Sequence, residues 1–241
     1  MKALVFAAGL GTRLRPLTST RPKALVEVDG KPLLYHVVSK LRNSGIDDIT
    51  VNIHHFPDMM CSYIRDNFGE SVHISDEREH LLETGGGILH ARRFLEGDDF
   101  LVHNVDILSG IDLRGIPLIP GSLGTLVVSP RETSRYLLFD PETLRLLGWT
   151  DKRTHEVRSP WEGLEPADCL QLAFSGIHLL SRDVFPVMEA FAPGERFPVM
   201  DFYLSACKDH KIYGYIPENA RILDVGKPET LPLAEKFLKE L

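Results

Sequence analysis

The segment Ala7-Ala8-Gly9-Leu10-Gly11-Thr12-Arg13-Leu14-Arg15, with Pro22-Lys23-Ala24-Leu25 soon after it, gathers glycines and cations directly behind an apolar run, Ala3 to Phe6, that reads as a buried first strand. Glycines let a backbone approach a ligand closely and turn its N–H groups inward, and Arg and Lys side chains supply charge for a polyphosphate. Residues 1–26 hold Lys2, Arg13, Arg15, Arg21 and Lys23 and no Asp or Glu, in a chain whose formal net charge is -7. A local cationic pocket on an acidic chain suits an anionic small molecule better than nucleic acid.

Two well-known phosphate loops do not fit. The dinucleotide fingerprint needs a third glycine where Leu14 stands, and no acidic residue ends the second apolar run, Ile49 to Ile53. The nucleoside-triphosphatase loop needs Gly-Lys-Ser/Thr, whereas Gly30-Lys31 and Gly226-Lys227 are each followed by proline.

The glycine loop, Arg13 and Pro22-Lys23 together resemble the signature of the nucleoside-diphosphate-sugar pyrophosphorylases. That family moves a nucleotidyl group from a nucleoside triphosphate onto a sugar 1-phosphate, so the resemblance implies these two substrates as partners, with neither nucleic acid nor membrane. The nucleophile is an already ionised phosphate, so the reaction asks for no general base; the obstacle is the meeting of two polyanions and the charge that builds as pyrophosphate leaves. By the resemblance, Lys23 bridges the α-phosphate and the acceptor phosphate, and Arg13 holds the departing β- and γ-phosphates. Ala8, Gly9, Gly11, Thr12 and Asn104 are expected against the nucleotide.

Asp106, in Asn104-Val105-Asp106, stands where the family places a magnesium aspartate, with Val105 in place of the usual glycine. Valine disfavours positive φ, so an extended backbone is expected there. Asp224, in Asp224-Val225-Gly226-Lys227-Pro228, resembles a second magnesium ligand, each aspartate being expected to end a strand of the parallel core. Magnesium prefers one or two carboxylates, with phosphate oxygens and water completing its octahedron.

Leu82-Glu83-Thr84-Gly85-Gly86-Gly87 resembles the loop that reads the base and contacts the sugar, with Glu83 and Gly85 toward the nucleotide and Thr84 toward the sugar. Its wording is similar to that of uridylyltransferases acting on N-acetylmuramate 1-phosphate, which implies UTP. The rival readings are GTP with mannose or heptose 1-phosphate, a phosphocholine cytidylyltransferase, and a catalytically silent nucleotide-sugar binder. Gly176, in Phe174-Ser175-Gly176-Ile177, matches an acceptor-site strand, and Asp140 and Asp201 lie in segments where relatives hold the sugar. Arg135, Lys152 and Arg153 are candidates for the carboxylate of a lactyl-bearing sugar.

The elements needed to position these groups alternate strand and helix through the first half: Leu33, Leu34, Val37, Val38 and Leu41 recur at helical spacing between Pro32 and Gly45, ahead of the Ile49 to Ile53 strand. Further helices are expected from about 57 to 68 and 87 to 95, and strands near 72–74 and 100–103. This repetition implies an α/β fold with a Rossmann-like mixed, mainly parallel sheet, its right-handed crossovers setting the glycine loop and Asp106 at one edge. Shorter strands follow beyond residue 120, with a hairpin tip at Lys152 to His155. One domain, 1–241, is expected, with a nucleotide half to about 120 and a sugar half beyond. The 241 residues are 43% hydrophobic and 25% charged, a soluble globular composition; three scattered cysteines and the lack of an apolar leader predict a cytoplasmic protein.

Overall fold

The computed structural model describes residues 1–218 and 221–241. In chain order it contains β1 (Lys2–Phe6), β2 (Glu27–Val28), β3 (Lys31–Pro32), α1 (Leu33–Asn43), β4 (Ile49–Ile53), α2 (Pro57–Phe68), β5 (Val72–Asp76), α3 (Glu83–His90), α4 (Arg92–Leu95), β6 (Phe100–Asn104), β7 (Ile107–Ser109), β8 (Ser122–Ser129), β9 (Arg135–Phe139), β10 (Leu146–Asp151), β11 (Glu156–Arg158), β12 (Leu170–Leu180), α5 (Val184–Phe191), α6 (Val199–Ala206), β13 (Lys211–Tyr215), β14 (Ile222–Asp224) and α7 (Leu231–Lys239). A ten-stranded sheet runs β11-β10-β9-β12-β6-β1-β4-β5, with β8 alongside β12 and β13 alongside β8. β1, β4, β5 and β6 are mutually parallel, whereas β12 runs antiparallel to β6, β8 and β9. The sheet is thus mixed: its central parallel strands come from the first half of the chain, and β13 adds a further parallel pairing to β8.

The central strands are apolar on both faces because both faces are covered. Ala3 and Val5 of β1 join a core under α1, α2 and α7, while Leu4 joins a second core under α3, α5 and α6. α1 buries Leu33, Leu34, Val37, Val38 and Leu41 as its spacing demands, and Gly45 just beyond it takes φ +69°. Among the described residues no helix is long and apolar enough to cross a membrane.

Two expectations shift. The helix expected from about 87 begins at Glu83, so the three glycines lie inside α3. β14 does not join the parallel core: it pairs antiparallel with β7 in a separate two-stranded sheet, because β7 peels away after the turn at Val105-Asp106 and offers a free edge to the returning chain.

α3 explains its own glycines. The 195–199 segment runs against it so closely that a Cβ at Gly86 would lie 2.0 Å from the Glu195 carbonyl oxygen. Gly86→Ala is therefore expected to destabilise the fold by about 1–3 kcal/mol, the usual cost of overpacking, read as a lowered urea midpoint. An unchanged midpoint would show that this contact relaxes freely.

Candidate active site

Phe6 pairs with Asn52 on one side and with Asn104 on the other, so β1, β4 and β6 deliver their carboxyl ends to one edge. A cavity of about 350 Å³ opens there, walled by Phe6 to Gly9, Lys23, Asn52, Leu81, Glu83, Thr84 and Asn104 to Asp106. A larger hollow of about 670 Å³ lies beyond Leu82, between residues 76–80 and Gly194-Glu195, and holds no residue of the glycine loop.

At one end of the smaller cavity the Lys23 ammonium is ion-paired with Asp106 Oδ2, the two side chains 12% and 13% exposed. Lys23 owes its position to a single 3₁₀ turn, Lys23–Leu25, entered through Pro22. Asp106 sits in the tight turn between β6 and β7. Val105 therefore turns instead of extending, but without a positive φ, so valine meets no backbone strain; its N–H donates to the Phe6 carbonyl at 3.1 Å.

Asp224 arrives beside Asp106 through the β7–β14 pairing, in which it faces Ile107, and the Val225 N–H donates to the Asp106 carbonyl at 2.8 Å. Gly226 marks the meeting point. A Cβ there would lie 2.7 Å from Asp224 Oδ1, 2.8 Å from Arg13 Nη2 and 3.0 Å from Asp106 Oδ2. The two carboxylate oxygens are thus no further apart than the first and last of those distances combined, and Arg13 Nη2 borders the same glycine. Hard oxygen donors from two aspartates, open on one side to a cavity, match what magnesium asks of a protein that leaves the remaining positions to phosphate and water. The residues present fit the ion that the resemblance implies.

The glycine loop is held from below. Ala7 and Ala8 donate their N–H groups to Asn52 Oδ1 at 2.7 and 3.3 Å, so Ala8 can offer a nucleotide only its carbonyl side and its methyl. Gly9 has open space around it, and Gly11 takes φ +62°, packed against Thr18 and the Cβ of Lys23. Thr12 and Arg13 begin a 3₁₀ turn on the exposed rim, with Arg13 Nη2 close to Gly226.

Opposite Lys23, Glu83 opens α3 at φ +61°, and its Oε1 accepts from Arg196 Nε and Nη2 at 3.0 and 2.8 Å. Thr84 Oγ1 accepts the Val199 N–H at 2.8 Å, tying α3 to the start of α6. Gly85, expected at the nucleotide, is spent on packing: its N–H donates to the Phe197 carbonyl at 2.8 Å, and a Cβ would strike the Phe197 ring at 2.2 Å. Gly176 takes φ +74° at an irregularity of β12, close enough to Asn104 that a Cβ would lie 2.8 Å from its Nδ2.

The remaining candidates sit further out. Asp201, in the first turn of α6, accepts from Arg158 Nη2 at 2.6 Å, and that guanidinium lies over the Trp149 ring. Asp140 is outside the cavity; its Oδ1 accepts from Glu142 N, Thr143 N and Thr143 Oγ1, and the Thr143 hydrogen bonds hold its carboxyl below the usual range, which is the chemistry of a turn. Arg135 and Arg153 converge on buried Asp151, and Lys152 lies over the Tyr136 ring, so the three cations are partnered within the hairpin.

Two residues that sequence reasoning passed over belong to the site, Asn52 and Gly226, and a third, Glu77, braces it from beneath. Asn52 was signalled by its polarity inside Ile49-Thr50-Val51-Asn52-Ile53, and Glu77 by its place just past the tip of β5. Burial pushes the Glu77 carboxyl above the ordinary carboxylate range.

A mixed, mainly parallel sheet with a glycine loop and a paired lysine and aspartate at its carboxyl edge defines a nucleotide-handling transferase. The nucleotidyl transferase family model matches residues 2–116. The chain is 32% identical over 99% of its length to the N-acetylmuramate alpha-1-phosphate uridylyltransferase of Caulobacter vibrioides, covering 97% of that protein, and so belongs to this family, among the sugar-1-phosphate nucleotidyltransferases. It is 36% identical over 95% of its length to a mannose-1-phosphate guanyltransferase of Aspergillus oryzae, of which it spans 62%, and it spans about half of several bifunctional relatives. HddC of Yersinia pseudotuberculosis, solved with GMP-PN, superimposes with a TM-score of 0.76 over 98% of this chain and 99% of that one; at 21% identity this likeness concerns the fold.

Proposed function

We propose that the protein joins UTP and N-acetylmuramate 1-phosphate into the nucleoside-diphosphate sugar, releasing pyrophosphate. The observation that carries the chemistry is the Lys23–Asp106 ion pair in the cavity, with Asp224 and Arg13 meeting Asp106 around Gly226. The choice of substrates rests on the near full-length likeness to the Caulobacter uridylyltransferase.

In this reading an oxygen of the sugar phosphate attacks the α-phosphorus, the new P–O bond forms, and the bond to the bridging oxygen breaks with its electron pair leaving on pyrophosphate. Lys23 donates to the α-phosphate and the entering phosphate, easing their approach. Arg13 neutralises the departing group from the rim. Asp106 and Asp224 would hold magnesium, which when bound supplies positive charge against the triphosphate. Before substrate enters, Lys23 is paired with Asp106, so ligand binding exchanges one charge pair for another without leaving either group bare. In this reading Asn104 faces the nucleotide, and Thr84 and Gly176 lie toward the sugar.

A second reading, GTP with mannose 1-phosphate, is favoured by the likeness to the Aspergillus guanyltransferase. Pyrophosphate release measured for four triphosphates against a panel of sugar 1-phosphates separates them. The highest kcat/KM is expected with UTP and N-acetylmuramate 1-phosphate; a higher value with GTP and mannose or heptose 1-phosphate would overturn the substrate assignment.

A further inference from the structure

The two segments that face each other across the cavity are joined beneath it by buried side-chain hydrogen bonds. Asn52 and Glu77 are 2% and 3% exposed. Asn52 Oδ1 accepts the N–H groups of Ala7 and Ala8, its Nδ2 donates to Glu77 Oε1 at 2.7 Å, and Glu77 Oε2 accepts the Leu82 N–H at 3.3 Å. Leu82 leads directly into Glu83 and Thr84. The passage is kept clear by Gly87, where a Cβ would lie 3.0 Å from Glu77 Oε1 and 3.1 Å from Asn52 Nδ2.

Burying a carboxylate and an amide is costly compared with an apolar pair of the same size, so packing alone does not call for them. What these two side chains supply is direction. Both ends of the path are backbone N–H donors, one in the glycine loop and one at the entry to α3. Spanning two donors requires an acceptor at each end and a single donor-to-acceptor link between, which one amide and one carboxylate provide.

We propose that Asn52 and Glu77 form a positioning bridge that sets the spacing of the glycine loop and the Leu82 to Thr84 segment, so that a nucleoside triphosphate is gripped from both sides. This rests on the nucleotidyltransferase reading and extends it to two residues whose bridging atoms are spent on the protein. Because either order of amide and carboxylate satisfies the path, exchanging them preserves it. In Asn52→Asp with Glu77→Gln, the aspartate accepts from Ala7, Ala8 and the glutamine amide, and the glutamine carbonyl accepts from Leu82.

The test measures triphosphate Kd by calorimetry in the intact protein, together with the KM of the sugar 1-phosphate and the thermal midpoint. Asn52→Asp alone sets two carboxylates face to face, and Glu77→Gln alone sets two N–H donors face to face. Each is expected to raise the Kd for triphosphate about tenfold with the acceptor KM unchanged, and the double exchange to return it to within about threefold of wild type. Folded single variants with wild-type Kd would overturn the bridge. So would a double variant no better than the singles, or a rise in acceptor KM equal to the rise in Kd, which marks a general scaffold. A wild-type chain that binds triphosphate yet transfers it to no acceptor contradicts the proposed function instead, since Kd is measured without turnover.

Discussion

Lys23→Ala is expected to lower kcat about a thousandfold while the protein stays folded, the scale on which a single preorganised charge acts on a developing anion. The lysine is the cation nearest Asp106 inside the cavity, largely shielded from water, where its charge counts for more than it would on the surface. Its removal leaves Asp106 without its ion-pair partner. The incoming phosphate then meets a more negative site, and kcat falls more than the triphosphate KM rises. Arg13, on the rim, differs in kind: Arg13→Ala should raise the triphosphate KM as well as lower turnover. Near-wild-type turnover in Lys23→Ala would remove the lysine from the reaction.

Asp106→Asn and Asp224→Asn should each remove most activity, by roughly a hundredfold or more, because each deletes one of the two carboxylates that the proposed function assigns to magnesium. Raised magnesium should recover only part of the loss, since an amide oxygen is a weaker ligand and one carboxylate remains. Thermal midpoints should move little for Asp224, which is exposed and makes its side-chain bond to the N–H of Gly226. A double variant no worse than either single would show that the two act as one unit. Full activity in Asp224→Asn would return that residue to turn chemistry.

The glycine loop was legible because several independent signals coincide in one short stretch: an apolar strand, glycines, cations and no carboxylate. The mainly parallel sheet followed from helical and strand spacing in the first half. β14 was misplaced because a three-residue strand reads the same whichever sheet it joins, and only the departure of β7 decides its partner. Gly85 was misassigned because a glycine that admits a ligand and one that admits a phenylalanine ring look alike in sequence. Asp140 carried an ordinary turn signal that resemblance had overridden. The Asn52–Glu77 path was invisible for a different reason: periodicity reports which face a residue occupies, and nothing in it couples a polar residue on one strand to another just past the tip of its neighbour.

The central claim, transfer of a nucleotidyl group to a sugar 1-phosphate, is tested most directly with a triphosphate labelled at the α-phosphorus. With magnesium and the acceptor present, the label should appear in a nucleoside-diphosphate sugar with one pyrophosphate released for each transfer, and almost none should be released when the acceptor is withheld. Label leaving as free nucleotide at the same rate with or without acceptor, or no transfer to any sugar 1-phosphate by a protein that binds nucleotide sugar tightly, would contradict it.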